Sequence, residues 1–168
     1  MGDRKTKPVI CICGLKNSGK TTLIERVLPL LVDKGLRVAV IKHDGHDFTC
    51  DVQGTDSARV TAAGAYGTGV FSAARMFVTK QGYSNKLDEM VSFFPEADII
   101  LIEGMKDLPL KKIEIVRKGI AEQPVSNPEG RLLVVTDLDH AAFQEETCGI
   151  DDLAKVVEVI EHVRMQGA

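Results

Sequence analysis

The stretch VICICGLKNSGKTTLIERVL, Val9 to Leu28, decides the fold. Its opening run, Val9 to Cys13, is apolar without a break and rich in β-branched side chains, as a strand buried on both faces of a parallel sheet should be. The run ends at a glycine. Gly14-Leu15-Lys16-Asn17-Ser18-Gly19-Lys20-Thr21 then fits the pattern G-x-x-x-x-G-K-[ST]. Leu23, Val27, Leu30 and Leu31 follow at helical spacing, with Gly35 as the stop and Pro29 expected to bend or interrupt the helix. A glycine-rich loop between a buried strand and a helix is a phosphate cradle. Its backbone N–H groups converge on the anion, and the helix start adds a positive end. Lys20 reaches the β- and γ-phosphates, and the Thr21 hydroxyl ligates Mg²⁺. The candidate loop therefore runs from Gly14 to Thr22, and Lys20 is expected to stand in solvent when no nucleotide is bound.

Outward from this unit, Leu36 to Ile41 reads as a second buried strand and completes a βαβ crossover. Lys42 to Val52, KHDGHDFTCDV, is too polar for a core element and is a functional-loop candidate. A short helix is expected over Asp56 to Ala63, then strands over Gly69 to Ala73 and Met76 to Lys80, and a helix from about Lys86 to Phe94. Ala97 to Ile102 is the clearest later strand. Lys112 to Arg117 alternates like a half-exposed strand, Arg131 to Thr136 reads as a buried one, and Ile150 to Arg164 closes as an amphipathic helix. The expected fold class is α/β: one P-loop nucleotide-binding domain over residues 1–168, a three-layer α/β/α sandwich with a mainly parallel sheet.

Composition narrows the function. The chain has 168 residues, 44% hydrophobic and 27% charged, enough for one domain with a real core. Net charge is -3 and the 21 Lys and Arg are spread out, which argues against a nucleic-acid partner. The apolar run after MGDRKTK is too short for a signal peptide or a membrane span, so a cytoplasmic protein with no membrane partner is expected. Cys11, Cys13, Cys50 and Cys148 lack C-x-x-C spacing and read as reduced thiols.

A P-loop holds phosphates without selecting a reaction, so other residues must decide. Glu103, directly after the strand ADIILI, stands where a metal-coordinating or water-orienting acid belongs at the carboxyl edge of the sheet. Asp44, Asp47 and Asp51 form a second supply of acids, with Asp51 the preferred metal ligand. His43 and His46 flank Asp44 and raise a transition-metal site, although phosphate contact by Lys42 and His43 is equally sensible. Asn85-Lys86-Leu87-Asp88 matches the guanine motif N-K-x-D, but it precedes the Glu103 strand and reads as a helix cap. Asp137, within Thr136-Asp137-Leu138-Asp139 after the strand RLLVVT, is better placed to accept hydrogen bonds from a guanine edge. These residues do not separate ATP from GTP.

The chain resembles the molybdopterin-guanine dinucleotide biosynthesis adaptor proteins, the MobB family within the SIMIBI class of P-loop proteins. The resemblance rests on GLKNSGKTTL (Gly14 to Leu23), KHDGHDFTCDVQGTDS (Lys42 to Ser57), LIEGMK (Leu101 to Lys106) and KIEIVR (Lys112 to Arg117), in that order. It implies GTP and Mg²⁺ binding, slow GTPase activity, a homodimer, and support of a MobA-type guanylyltransferase that acts on molybdopterin. By position, Lys20 and Thr21 hold phosphate and Mg²⁺, and Glu103 falls in a Walker B-like segment. The class's signature lysine follows the first loop glycine, whereas here Leu15 does and Lys16 comes one later. The competing readings are an ATP-dependent small-metabolite kinase or ligase of the dethiobiotin synthetase type, and a metallochaperone GTPase built on His43 and His46. Slow turnover is expected because no glutamine, arginine finger or other strong catalytic group is evident beside the loop.

Overall fold

The computed structural model describes residues 7–45, 48–82 and 86–167. His46, Asp47 and Asn85 lie outside them. In chain order the elements begin with β1 (Val9–Gly14), α1 (Lys20–Asp33), β2 (Val38–Lys42), α2 (Asp56–Ala62), β3 (Gly67–Phe71), β4 (Met76–Lys80) and α3 (Leu87–Ser92). They continue with β5 (Ile99–Glu103), β6 (Lys112–Val116), β7 (Arg131–Thr136), β8 (Thr147–Gly149) and α4 (Leu153–Gln166). Six strands form one sheet in the order β2-β5-β1-β6-β7-β8, and every pairing in it is parallel. The mainly parallel α/β sheet expected from the sequence is thus borne out. Helix α1 joins β1 to β2, whereas β5, β6, β7 and β8 follow one another with no α-helix between them among the described residues, each parallel neighbour being reached by a crossover connection.

The chain divides into two compact units, residues 1–43 with 88–168, and residues 44–87. In the first, Ile10 and Ile12 of β1, Leu101 of β5, Ile113 and Ile115 of β6, and Leu133 and Val135 of β7 make one apolar sheet face. Leu23, Val27 and Leu31 of α1 and Val156, Ile160 and Val163 of α4 cover it. Helix α1 runs unbroken through Pro29. The expected interruption is absent because Pro29 and Glu25, whose carbonyl loses its helical partner, are both exposed, so water can take that hydrogen bond.

The opposite sheet face corrects the half-exposed reading of β6, in which all five residues are buried. Lys112 is fully buried and its Nζ donates to the carbonyls of Asn127 at 3.0 Å and Glu129 at 2.6 Å. The Glu114 carboxylate accepts from the Val125 amide at 2.6 Å and from the amide and hydroxyl of Ser126, and it pairs with Arg131 Nε at 3.5 Å. The polar members of the alternating pattern are therefore satisfied by the connection that follows the strand, not by water. Cys11 and Cys13 lie in register with Lys112 and Glu114 on this face. Burial pushes the Cys11 thiol up to about 11, and burial followed by the nearby Glu114 charge pushes that of Cys13 up to about 12. The short strand β8 was not foreseen.

In the second unit the two expected strands form an antiparallel hairpin of their own, β3 against β4. None of its described residues is fully buried. Asp51 stabilises the start of α2: its Oδ1 accepts from the Val52 amide and from the hydroxyls of Thr55 and Ser57. Among the described residues, no helix is long and apolar enough to cross a membrane.

Candidate nucleotide-binding site

The loop from Gly14 to Gly19 leaves the carboxyl end of β1 and enters α1. Its backbone needs the residues found in the pattern. Gly14 has φ 139°, and a Cβ there would fall 2.5 Å from the Ile115 carbonyl and 2.8 Å from Ser18 Oγ. Gly19 caps α1 in the left-handed region, φ 98°, and supplies no side-chain cap. Among the described residues no side chain caps the first N–H groups of α1, which are available to an anion. Asn17 also has positive φ, 64°, which asparagine tolerates better than most residues. Ser18 is buried, and its hydroxyl has no hydrogen-bond partner among the described residues. Lys16, Thr21 and Thr22 are exposed. Leu15 is half-buried and walls a cleft of about 570 Å³ together with residues of the 119–125 segment.

Lys20 departs from the solvated state expected of it. It is half-buried, and its Nζ donates to the carbonyls of Leu15 at 2.8 Å and Gly14 at 3.3 Å. The loop's own carbonyls are its acceptors, and the ammonium folds back on them.

Two sequence-predicted metal ligands come together across the β1–β5 pair. The Thr21 hydroxyl lies 3.0 Å from both carboxylate oxygens of Glu103. Thr21 opens α1 and Glu103 ends β5, so 82 residues of chain are bridged by one contact. A hydroxyl beside a carboxylate is a pair of hard oxygen ligands that fits Mg²⁺. After Glu103 the chain turns through Gly104, φ 116°, and Met105, φ 53°. A Cβ at Gly104 would press on the His43 carbonyl at 3.1 Å, and the His43 amide donates to the Glu103 carbonyl at 3.0 Å. His43 therefore stands beside the Glu103 strand end through the backbone. Asp51 belongs to the second unit, where its Oδ1 is engaged as described and its buried Oδ2 has no hydrogen-bond partner among the described residues.

Asp137 follows β7 at the same carboxyl edge. Its Oδ1 accepts from the Lys118 amide at 2.7 Å, and its Oδ2 lies 3.7 Å from Arg117 Nε. Asp139 instead caps the single helical turn His140–Ala142. The sequence reading missed Arg117. Its Nη1 would lie 3.4 Å from a Cβ at Gly19, so a guanidinium does stand beside the phosphate loop. The signal was available in Lys112 to Arg117, a strand that ends on arginine, but the strand's place next to β1 had to be known first.

Residues 9–137 match the family of molybdopterin guanine dinucleotide synthesis protein B. The chain belongs to this family. That match takes in β1, the loop, Glu103, Arg117 and Asp137. Among relatives of the MobB family, the molybdopterin-guanine dinucleotide biosynthesis adapter protein of Escherichia coli is 32% identical over 74% of this chain and 74% of its own length. The Haemophilus influenzae adapter protein is 29% identical over 92% of this chain and 88% of its own. The crystal structure of Bacillus subtilis MobB superposes with a TM-score of 0.72 at 29% identity, covering 92% of this chain and 96% of that one. The fold is that of the MobB P-loop proteins, and membership puts the chain in molybdopterin-guanine dinucleotide biosynthesis as an adapter.

Proposed function

We propose that the chain binds GTP with Mg²⁺ through Gly14 to Thr22 and acts in the cytoplasm as an adapter to a MobA-type guanylyltransferase working on molybdopterin. The observation that carries this reading is the Thr21–Glu103 contact beside the loop, in a chain of the MobB family. Backbone N–H groups from Leu15 to Thr21 bind the phosphates, and Lys20 leaves the carbonyls of Gly14 and Leu15 for the β- and γ-phosphate oxygens. Thr21 and Glu103 would hold Mg²⁺, which supplies charge neutralisation across the phosphates. Asp137 accepts hydrogen bonds from the guanine edge, the contact that would favour GTP over ATP.

Hydrolysis by the chain alone is slow, because the arginine beside the loop stands on the side of β1 opposite Glu103. The chain forms a homodimer through the hairpin β3–β4. A two-stranded ribbon is marginal by itself, and this one exposes Val70, Phe71, Met76 and Val78 along its length.

Calorimetric titration with GTP and with ATP, each with Mg²⁺, tests the reading, with Lys20→Ala as control. Preference for GTP that disappears in the variant is expected. Tight ATP binding without GTP binding would overturn it and favour a kinase or ligase. Glu103→Gln should leave nucleotide affinity within about threefold while weakening Mg²⁺-dependent hydrolysis at least tenfold. An unchanged metal dependence would remove Glu103 from the site.

A further inference from the structure

The sheet order gives the nucleotide loop two unlike sides. Strand β1 pairs with β5 on one side and β6 on the other. Glu103 ends β5 and meets Thr21, so the metal and terminal-phosphate side is the β5 side. Arg117 follows β6, one strand from the loop, and Asp137 follows β7, two strands away. At about 4.8 Å per strand, Asp137 leaves the sheet roughly 10 Å from the strand that carries the loop, with Arg117 between them. Contacts agree with this placement. Arg117 Nη1 would lie 3.4 Å from a Cβ at Gly19, the residue that caps α1, while its Nε lies 3.7 Å from Asp137 Oδ2.

In a nucleotide whose terminal phosphates lie in the loop and whose base lies at Asp137, the groups between are the α-phosphate and the ribose. Of these only the α-phosphate is an anion. We propose that Arg117 binds the α-phosphate of the nucleotide, held in orientation by Asp137. The assignment rests on the reading of Gly14 to Thr22 as the nucleotide loop. The guanidinium is a planar fork that can give two parallel N–H donors to phosphate oxygens. Asp137 engages the Nε edge, and the Nη1 end faces the helix start. The same geometry separates Arg117 from an arginine finger, which must reach the γ-phosphate on the other side of β1. It also gives Asp137 a second task, because the Lys118 amide and the Arg117 guanidinium share its carboxylate.

The test is calorimetric titration of the full chain and of Arg117→Ala, Arg117→Gln and Arg117→Lys. The ligands are the preferred nucleoside triphosphate, its diphosphate and its monophosphate, each with Mg²⁺, and the free nucleoside as control. A contact common to all three predicts that Arg117→Ala weakens each by the same factor, about tenfold or more. The ratio of triphosphate to diphosphate affinity should stay fixed, and Arg117→Lys should recover part of the loss. Unchanged affinity in Arg117→Ala overturns the assignment. So does a loss confined to the triphosphate, which marks a terminal-phosphate contact, or a loss shared equally by the free nucleoside, which marks a base or ribose contact. Melting curves separate binding from folding, and if Arg117→Ala does not fold, Arg117→Gln carries the same expectation. If Lys20→Ala loses binding while both charge-removing Arg117 variants keep it, this assignment alone fails. If the parent binds no nucleotide, the reading of the loop fails first.

Discussion

The two units of this chain differ in what holds them. The sheet unit buries Ile10, Ile12, Leu101, Ile113, Leu133 and their neighbours completely, and even its polar groups Lys112 and Glu114 are enclosed and bonded. The unit of residues 44–87 encloses none of its described side chains and presents Phe71 at 86% exposure. One region therefore carries its stability within itself. The other has the composition of a surface that gains by association, because exposed apolar area is stabilised only when something covers it.

The sharpest way to break this comparison is to cut the polar ties of the sheet unit. Glu114→Ala leaves the amides of Val125 and Ser126 without their acceptor, while Arg131 keeps Glu145 and the Ser126 carbonyl, and should cost about 3 kcal/mol in urea-induced unfolding. A loss below about 1 kcal/mol would mean that water replaces the carboxylate and that this face is wetter than described.

Thiol chemistry sharpens it next. Cys50 is exposed in the second unit, whereas Cys11, Cys13 and Cys148 are buried in the first with thiols raised to about 11, 12 and 11. Only Cys50 should react promptly with a thiol reagent at neutral pH, the other three reacting on unfolding. Because the folded state keeps these three thiols protonated, their contribution is fully present below the ordinary value of 9.0 and is lost as pH rises toward about 11 to 12. Denaturant midpoints should therefore fall across that window, and a flat profile would contradict the burial.

The smallest effect belongs to the hairpin. Phe71→Ser with Met76→Ser should change unfolding of the dilute chain by only about 0.5 kcal/mol, since neither side chain is buried. The same pair should shift sedimentation toward the monomer at high concentration. Unaltered self-association would move the dimer contact elsewhere.

The same contrast explains what could be read from the sequence. β1, the loop and α1 were legible because three local signals agree there: an apolar run, a glycine pattern and a helical period. The hairpin strand Met76–Lys80 and the buried strand Arg131–Thr136 were read to their boundaries. β6 was misread because the partners of Lys112 and Glu114 lie 11 to 17 residues downstream, beyond any local pattern. Arg117 was missed because its importance depends on which strand lies beside β1. Lys20 was expected in solvent because its backbone acceptors carry no side-chain signature. β8 has only three residues, too few for a period.

The connection from β6 to β7 is fastened near its far end by Glu114 to Val125 and Ser126, and by Lys112 to Asn127 and Glu129. At its near end, Asp137 holds the Lys118 amide. Between those clamps, Gly119 to Pro124 forms a short span beside Leu15. Length here is therefore a fixed quantity: residues added at Asn127 to Glu129 would pull the clamps out of register, whereas residues added near Glu122 would bulge outward and leave them closed. A reporter peptide for watching the loop at work belongs at Glu122, an exposed residue between the clamps.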